Sequence, residues 1–152
     1  MQRITLLIAL GAFAATLFAA DPFTGTWKMN AAKTKYTTGL PPKEQTIAIG
    51  VSGTDITMTG SGIGPDGSKI AMSYSFPLGG GAGKVTSTVY DGVVGKTISP
   101  TEREVSYTKD GKAVYTAHSK VSADGKSMTV TLKGTNPLGQ MIDGVAFYDK
   151  QK

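Results

Sequence analysis

From residue 24 onward, apolar and polar residues alternate in short runs, the period of half-buried strands rather than of helices. Thr24 to Asn30 reads as a first strand. Gln45 to Val51 places Ile47, Ile49 and Val51 on one face, and Ile56 to Gly60 places Ile56 and Met58 on one. The clearest alternation runs from Lys69 to Phe76, where Ile70, Met72, Tyr74 and Phe76 interleave with Ala71, Ser73 and Ser75. Further strands are predicted over Lys84–Tyr90, Val93–Ile98, Arg103–Lys109, Lys112–Val121, Ser127–Gly134 and Met141–Lys150. Turn-forming clusters separate them: Ser52–Asp55, Gly64–Gly67, Asp110-Gly111, Ala123–Lys126 and Asn136–Gly139. Asn30 to Tyr36 has room for one or two helical turns, and 37–44 and 77–83 read as loops, the second flexible.

Consecutive hairpins predict an all-β chain, an antiparallel up-and-down β-barrel of about 8–10 strands. Curling closed pairs the edge strands and gives the apolar face a shared interior. A two-sheet sandwich is the competing architecture; it needs crossovers that only the two long loops can supply.

The first twenty residues follow a different grammar. Arg3 precedes an apolar run from Ile4 to Phe18, and Ala19 and Ala20 stand before Asp21-Pro22. This is the three-part pattern of a secretory signal peptide. Residues 1–20 are expected to be removed, leaving a barrel domain over 21–152, exported to the periplasm or secreted. An uncleaved anchor is the alternative, but the run is shorter than the ~20 residues that span a bilayer. No stable membrane span is expected after cleavage.

Composition narrows the function classes. Twenty Gly and seven Pro suit many tight turns, and the absence of Cys excludes disulfides, thiolate metal sites and cysteine nucleophiles. The net charge of +5 comes mostly from dispersed Lys. A solvated surface explains that pattern better than nucleic-acid binding, which clusters Arg with aromatics.

The opening Phe23-Thr24-Gly25-Thr26-Trp27-Lys28-Met29 resembles the start of the lipocalin and fatty-acid-binding protein superfamily. The resemblance implies a Trp plugging the closed end of a lipocalin-like (calycin) barrel, with Lys150 a candidate to stack on it. The longer opening, through Tyr36 to Pro41-Pro42-Lys43, is also similar to a group of small exported bacterial proteins of unassigned function. Three features of the superfamily are missing. There is no room before Pro41 for a helix-turn-helix lid, no Arg-x-Tyr near the C-terminus to hold a carboxylate, and no Cys for the lipocalin disulfide.

Candidate chemistry is sparse. The single histidine, His118, shares strand parity with Lys112 and Lys120 and is expected to face solvent. Asp55, Asp66, Asp91, Asp110 and Asp124 sit at turns, where they bond their own backbone. Gly79–Gly83 lacks the helical context of a phosphate loop. Arg103 is expected to be exposed beside Glu102 and Glu104. No catalytic residue, metal site or cofactor is assigned, and the chain is read as no enzyme. The aromatics and methionines carry more: Trp27, Met58, Met72, Tyr74, Phe76, Tyr107 and Tyr115 are the candidate lining of a site for a small hydrophobic ligand. The same residues equally suit a filled core, which makes the alternative a structural or interaction module with no ligand.

Overall fold

The computed structural model describes residues 20–152; the signal peptide expected over 1–20 lies, but for its last residue, outside the described residues. Eleven strands follow one another: β1 (Gly25–Met29), β2 (Lys35–Thr38), β3 (Glu44–Ser52), β4 (Asp55–Ile63), β5 (Lys69–Pro77), β6 (Gly81–Thr86), β7 (Gly92–Ser99), β8 (Glu102–Lys109), β9 (Lys112–Val121), β10 (Ser127–Thr135) and β11 (Met141–Lys150). All are antiparallel, and from β3 to β11 each pairs with the next in the chain. The sheet closes through β1, which pairs with β3 on one side and with β11 on the other (Trp27 opposite Lys150, Met29 opposite Tyr148). This is the up-and-down barrel expected from the alternation, not a sandwich.

β1 and β2 cover successive stretches of the same edge of β11, so they act as one stave broken in the middle. The break is Asn30–Thr34, where helical turns were expected. The Asn30 carbonyl accepts the N–H of Thr34 (3.0 Å), and its side-chain amide donates to Asp149 (2.8 Å). The Thr34 hydroxyl accepts the N–H of Phe147 (3.1 Å), so the chain returns to the β11 edge after one turn instead of extending into helix.

The expected flexible loop over 77–83 needs correction. Gly81–Gly83 is strand, paired with Val93–Gly95 of β7. Close approach explains two of the glycines: a β-carbon on Gly83 would run into the Ser75 carbonyl and the Phe76 backbone of the neighbouring strand, and one on Gly95 into the Phe76 ring. The expected strand Lys84–Tyr90 ends early for a related reason. After Thr86 the chain turns, with the Ser87 hydroxyl accepting the N–H groups of Val89 (3.0 Å) and Tyr90 (3.2 Å). The hairpin at Asp110-Gly111 is as expected, both residues adopting positive φ (51° and 73°).

Candidate functional site

The interior side chains divide by height. At the end that holds β1's first residues, Phe23, Trp27, Phe76, Val93 and Met128 are each at most 1% exposed and form a packed floor. The Trp27 indole N–H donates to the Phe23 carbonyl (2.8 Å), and the Lys150 ammonium lies 5.1 Å from the Trp27 ring, as the resemblance implied. Arg103 corrects its expectation. It is buried in this floor, paired with Asp21 at 2.9 Å and laid over the Phe23 ring at 4.3 Å. Its strand parity, shared with Val105 and Tyr107, already pointed inward; the flanking Glu102 and Glu104 obscured it.

Above the floor a cavity of about 110 Å³ opens toward the other end, where the loops 39–43, 64–68 and 136–140 border the mouth. Met58, Met72, Tyr74, Tyr107 and Tyr115 line it, joined by Ile47, Ile49, Ile70, Val130 and Leu132. Of the seven candidate ligand residues, Trp27 and Phe76 are set apart in the floor, with Phe76 stacked 5.8 Å beneath Tyr74.

Among the wall residues not singled out from sequence are two tyrosines, Tyr36 and Tyr148. Tyr36 sits just past the broken stave, where no strand parity was readable. Tyr148 alternates with Ile142 and Ala146 on β11, a signal that could have found it. The chain's six tyrosines thus gather in the barrel: five line the cavity, and Tyr90 packs behind Tyr107 and Tyr115 at ring distances of 4.9 and 6.2 Å. Tyr107 and Tyr115 face each other across β8 and β9, 5.5 Å apart, and Tyr74 meets Tyr107 edge-on at 5.9 Å.

Polar bonding splits the phenols. Tyr90 donates to the Thr135 carbonyl (2.6 Å) and Tyr148 to the Gln45 side chain (2.7 Å). The hydroxyls of Tyr36, Tyr74, Tyr107 and Tyr115 make no such bond among the described residues and open onto the cavity. Burial raises the pKa of all six phenols, Tyr36 to about 12, so each stays protonated at any physiological pH. No Asp, Glu, Lys, Arg or His lines the cavity. His118 is on the outer face, bonded to Glu102 (2.7 Å). Among the described residues, no three His, Asp or Glu side chains come together, and no helix is long and apolar enough to cross a membrane.

The wall is incomplete beside this cavity. β6 pairs with β5 only at Ser73–Ser75, leaving Lys69–Met72 of β5 without a partner on that side. A groove of about 360 Å³ lies there, bounded by Lys69–Met72, Thr86–Thr88 and Pro137-Leu138. It shares Ile70, Met72, Pro137 and Leu138 with the cavity, so those four side chains are the partition between inside and outside.

No protein-family model matches the chain, and no curated protein matches it. A solved structure of a zebrafish ileal bile acid-binding protein, complexed with cholic acid, aligns over 86% of this chain and 99% of its own at 14% identity, with a TM-score of 0.47. The architecture stands on the strand pairing itself: a closed, ten-stave, antiparallel up-and-down barrel with Trp27 in its floor is the lipocalin-like form that Gly25-Thr26-Trp27 resembles.

Proposed function

We propose that this protein is an exported, non-enzymatic barrel that holds a small hydrophobic molecule in its upper half. The observation that carries the reading is the uncharged cavity above a closely packed floor, parted from an outer groove only by Ile70, Met72, Pro137 and Leu138. A core that served only stability would close over that space, because unfilled volume forfeits packing contacts. The cavity alone suits one small ring; with the adjoining groove the space reaches the ~300–1,000 Å³ of ordinary ligand sites. The absence of carboxylates, imidazole and amines from the lining leaves no acid or base suited to neutral pH, which supports binding over turnover. The export reading is supported by the signal-like residues 1–20.

Titration with N-phenyl-1-naphthylamine, an uncharged dye that brightens in apolar surroundings, tests this. Saturable binding at one site per chain is expected. Tyr74→Ala should weaken it at least fivefold while thermal unfolding stays cooperative. Absence of saturable binding by the native protein would favour the filled-barrel interaction module and overturn the carrier reading.

A further inference from the structure

We infer that the ligand is electrically neutral and carries a hydrogen-bond-accepting oxygen, such as a ketone, quinone, ester or ether, on a compact apolar body. The inference rests on the proposed carrier function and narrows its ligand.

Two observations support it. The first is the charge census of the cavity lining, which holds no cationic side chain to receive a carboxylate and no carboxylate to receive an amine; the groove's one charged residue, Lys69, is exposed. An ion entering such a site would lose its hydration without gaining a counter-charge. Arg103, the nearest interior cation, is already paired with Asp21 and covered by the Phe23 ring.

The second is the state of the polar groups that remain. The Gln45 side-chain oxygen is occupied by Tyr148, and the Asn136 side-chain oxygen accepts the N–H groups of Leu138 (3.0 Å) and Gln140 (2.9 Å). The unengaged groups are donors: the hydroxyls of Tyr36, Tyr74, Tyr107 and Tyr115 foremost, and the amide N–H groups of Gln45, whose oxygen alone is taken. A phenol is a better donor than acceptor, because its oxygen lone pair delocalises into the ring. Burial also keeps these phenols protonated. These hydroxyls have no protein partner and are reached from the cavity, so a ligand oxygen placed among them gains a bond that a hydrocarbon cannot. Tyr74, Tyr107 and Tyr115 stand together on the cavity wall, the Tyr107 ring 5.9 Å from that of Tyr74 and 5.5 Å from that of Tyr115, so several phenols serve one small space.

Three probes of one shape test the inference by calorimetry: 2-acetylnaphthalene, 2-ethylnaphthalene and 2-naphthoate at pH 7.5. The ketone should bind about tenfold tighter than the hydrocarbon, the worth of roughly one hydrogen bond. The carboxylate should bind at least a hundredfold more weakly than the ketone. Tyr107→Phe and Tyr74→Phe should each erode the ketone's advantage by weakening the ketone and not the hydrocarbon, while thermal unfolding stays cooperative. If the native protein binds ketone and hydrocarbon equally, or the carboxylate best, the inference fails and the carrier function survives. If it binds none of the three, the carrier function fails with it.

Discussion

At one end of the barrel, Phe23, Trp27, Phe76 and Met128 are each at most 1% exposed; at the other, Leu40 and Met141 are 63% and 62% exposed. Polar groups differ in the same direction. In the floor Arg103 has Asp21, the indole of Trp27 has the Phe23 carbonyl, and Lys150 reaches the Pro22 carbonyl (3.4 Å). In the upper half four phenols open onto empty volume and β5 has a free edge. One sheet thus runs from a closely packed region, whose polar groups are bonded except for Arg103 Nε, to one with open volume and a free strand edge. Stability and ligand binding are separated by height, and that separation can be attacked from either end.

Alkali should give the largest effect. The six tyrosines all have pKa values raised by burial, with Tyr36 at about 12 and the others higher. In the unfolded chain they titrate near 10. The stability that comes from keeping them neutral is therefore intact below pH 10. It is lost as the pH climbs from 10 through the folded values, because the unfolded chain releases its protons first. Each phenol held neutral removes about 1.4 kcal/mol per pH unit across that window. Several acting together exceed an ordinary domain's total stability of about 5–15 kcal/mol within two units. Absorbance near 295 nm should show phenolate appearing together with the loss of native circular dichroism, not before it. Full phenolate formation near pH 10 on an intact fold would mean that the upper half is already open to water.

Trp27→Ala attacks the other end. Removing a fully buried indole from a region that cannot collapse should cost about 3–5 kcal/mol in urea unfolding. It should leave the affinity of N-phenyl-1-naphthylamine, measured on the folded fraction, within about twofold, because Trp27 does not touch the cavity. A dye affinity that falls along with stability would show that the two regions are coupled and that height does not separate their roles.

The sequence made the framework legible because most strands obey strict alternation between strong turn residues. Ile70 to Phe76 and Met128 to Leu132 face inward as their parity requires. It was less legible where one residue answers to a distant neighbour. Gly81–Gly83 looks like a flexible loop until its pairing with Val93–Gly95 is seen, and Gly83 makes sense only with the Ser75-Phe76 backbone pressed against it. Arg103 reads as a surface charge unless Asp21, 82 positions away, is known to lie beside it. At the site, residue type and parity picked out Met58, Met72, Tyr74, Tyr107 and Tyr115, which the structure places around one cavity. Neither could say at what height along the barrel each residue falls, and that is why Trp27 and Phe76 were grouped with the lining.

Leu138 offers the smallest and most discriminating perturbation. Its side chain belongs both to the cavity wall and to the outer groove, and it leans over Gly64 on the turn between β4 and β5. The loop that carries it is held by its own backbone: Asn136 donates to the Gln140 carbonyl and Gly139 to the Asn136 carbonyl, each at 2.9 Å. Passage through the partition therefore needs movement of the leucine side chain, not of the loop. Leu138→Ala removes a half-buried side chain and should cost about 1 kcal/mol of stability or less. If the groove is the ligand's route, the substitution lowers a barrier common to binding and release. Stopped-flow mixing with N-phenyl-1-naphthylamine should then show both rates rising by a similar factor of about five to ten, with little change in Kd. Unchanged rates would place the route through the loop-ringed mouth, beside Leu40 and Met141. A weakened Kd with an unchanged association rate would make Leu138 a contact of the bound molecule and not its gate.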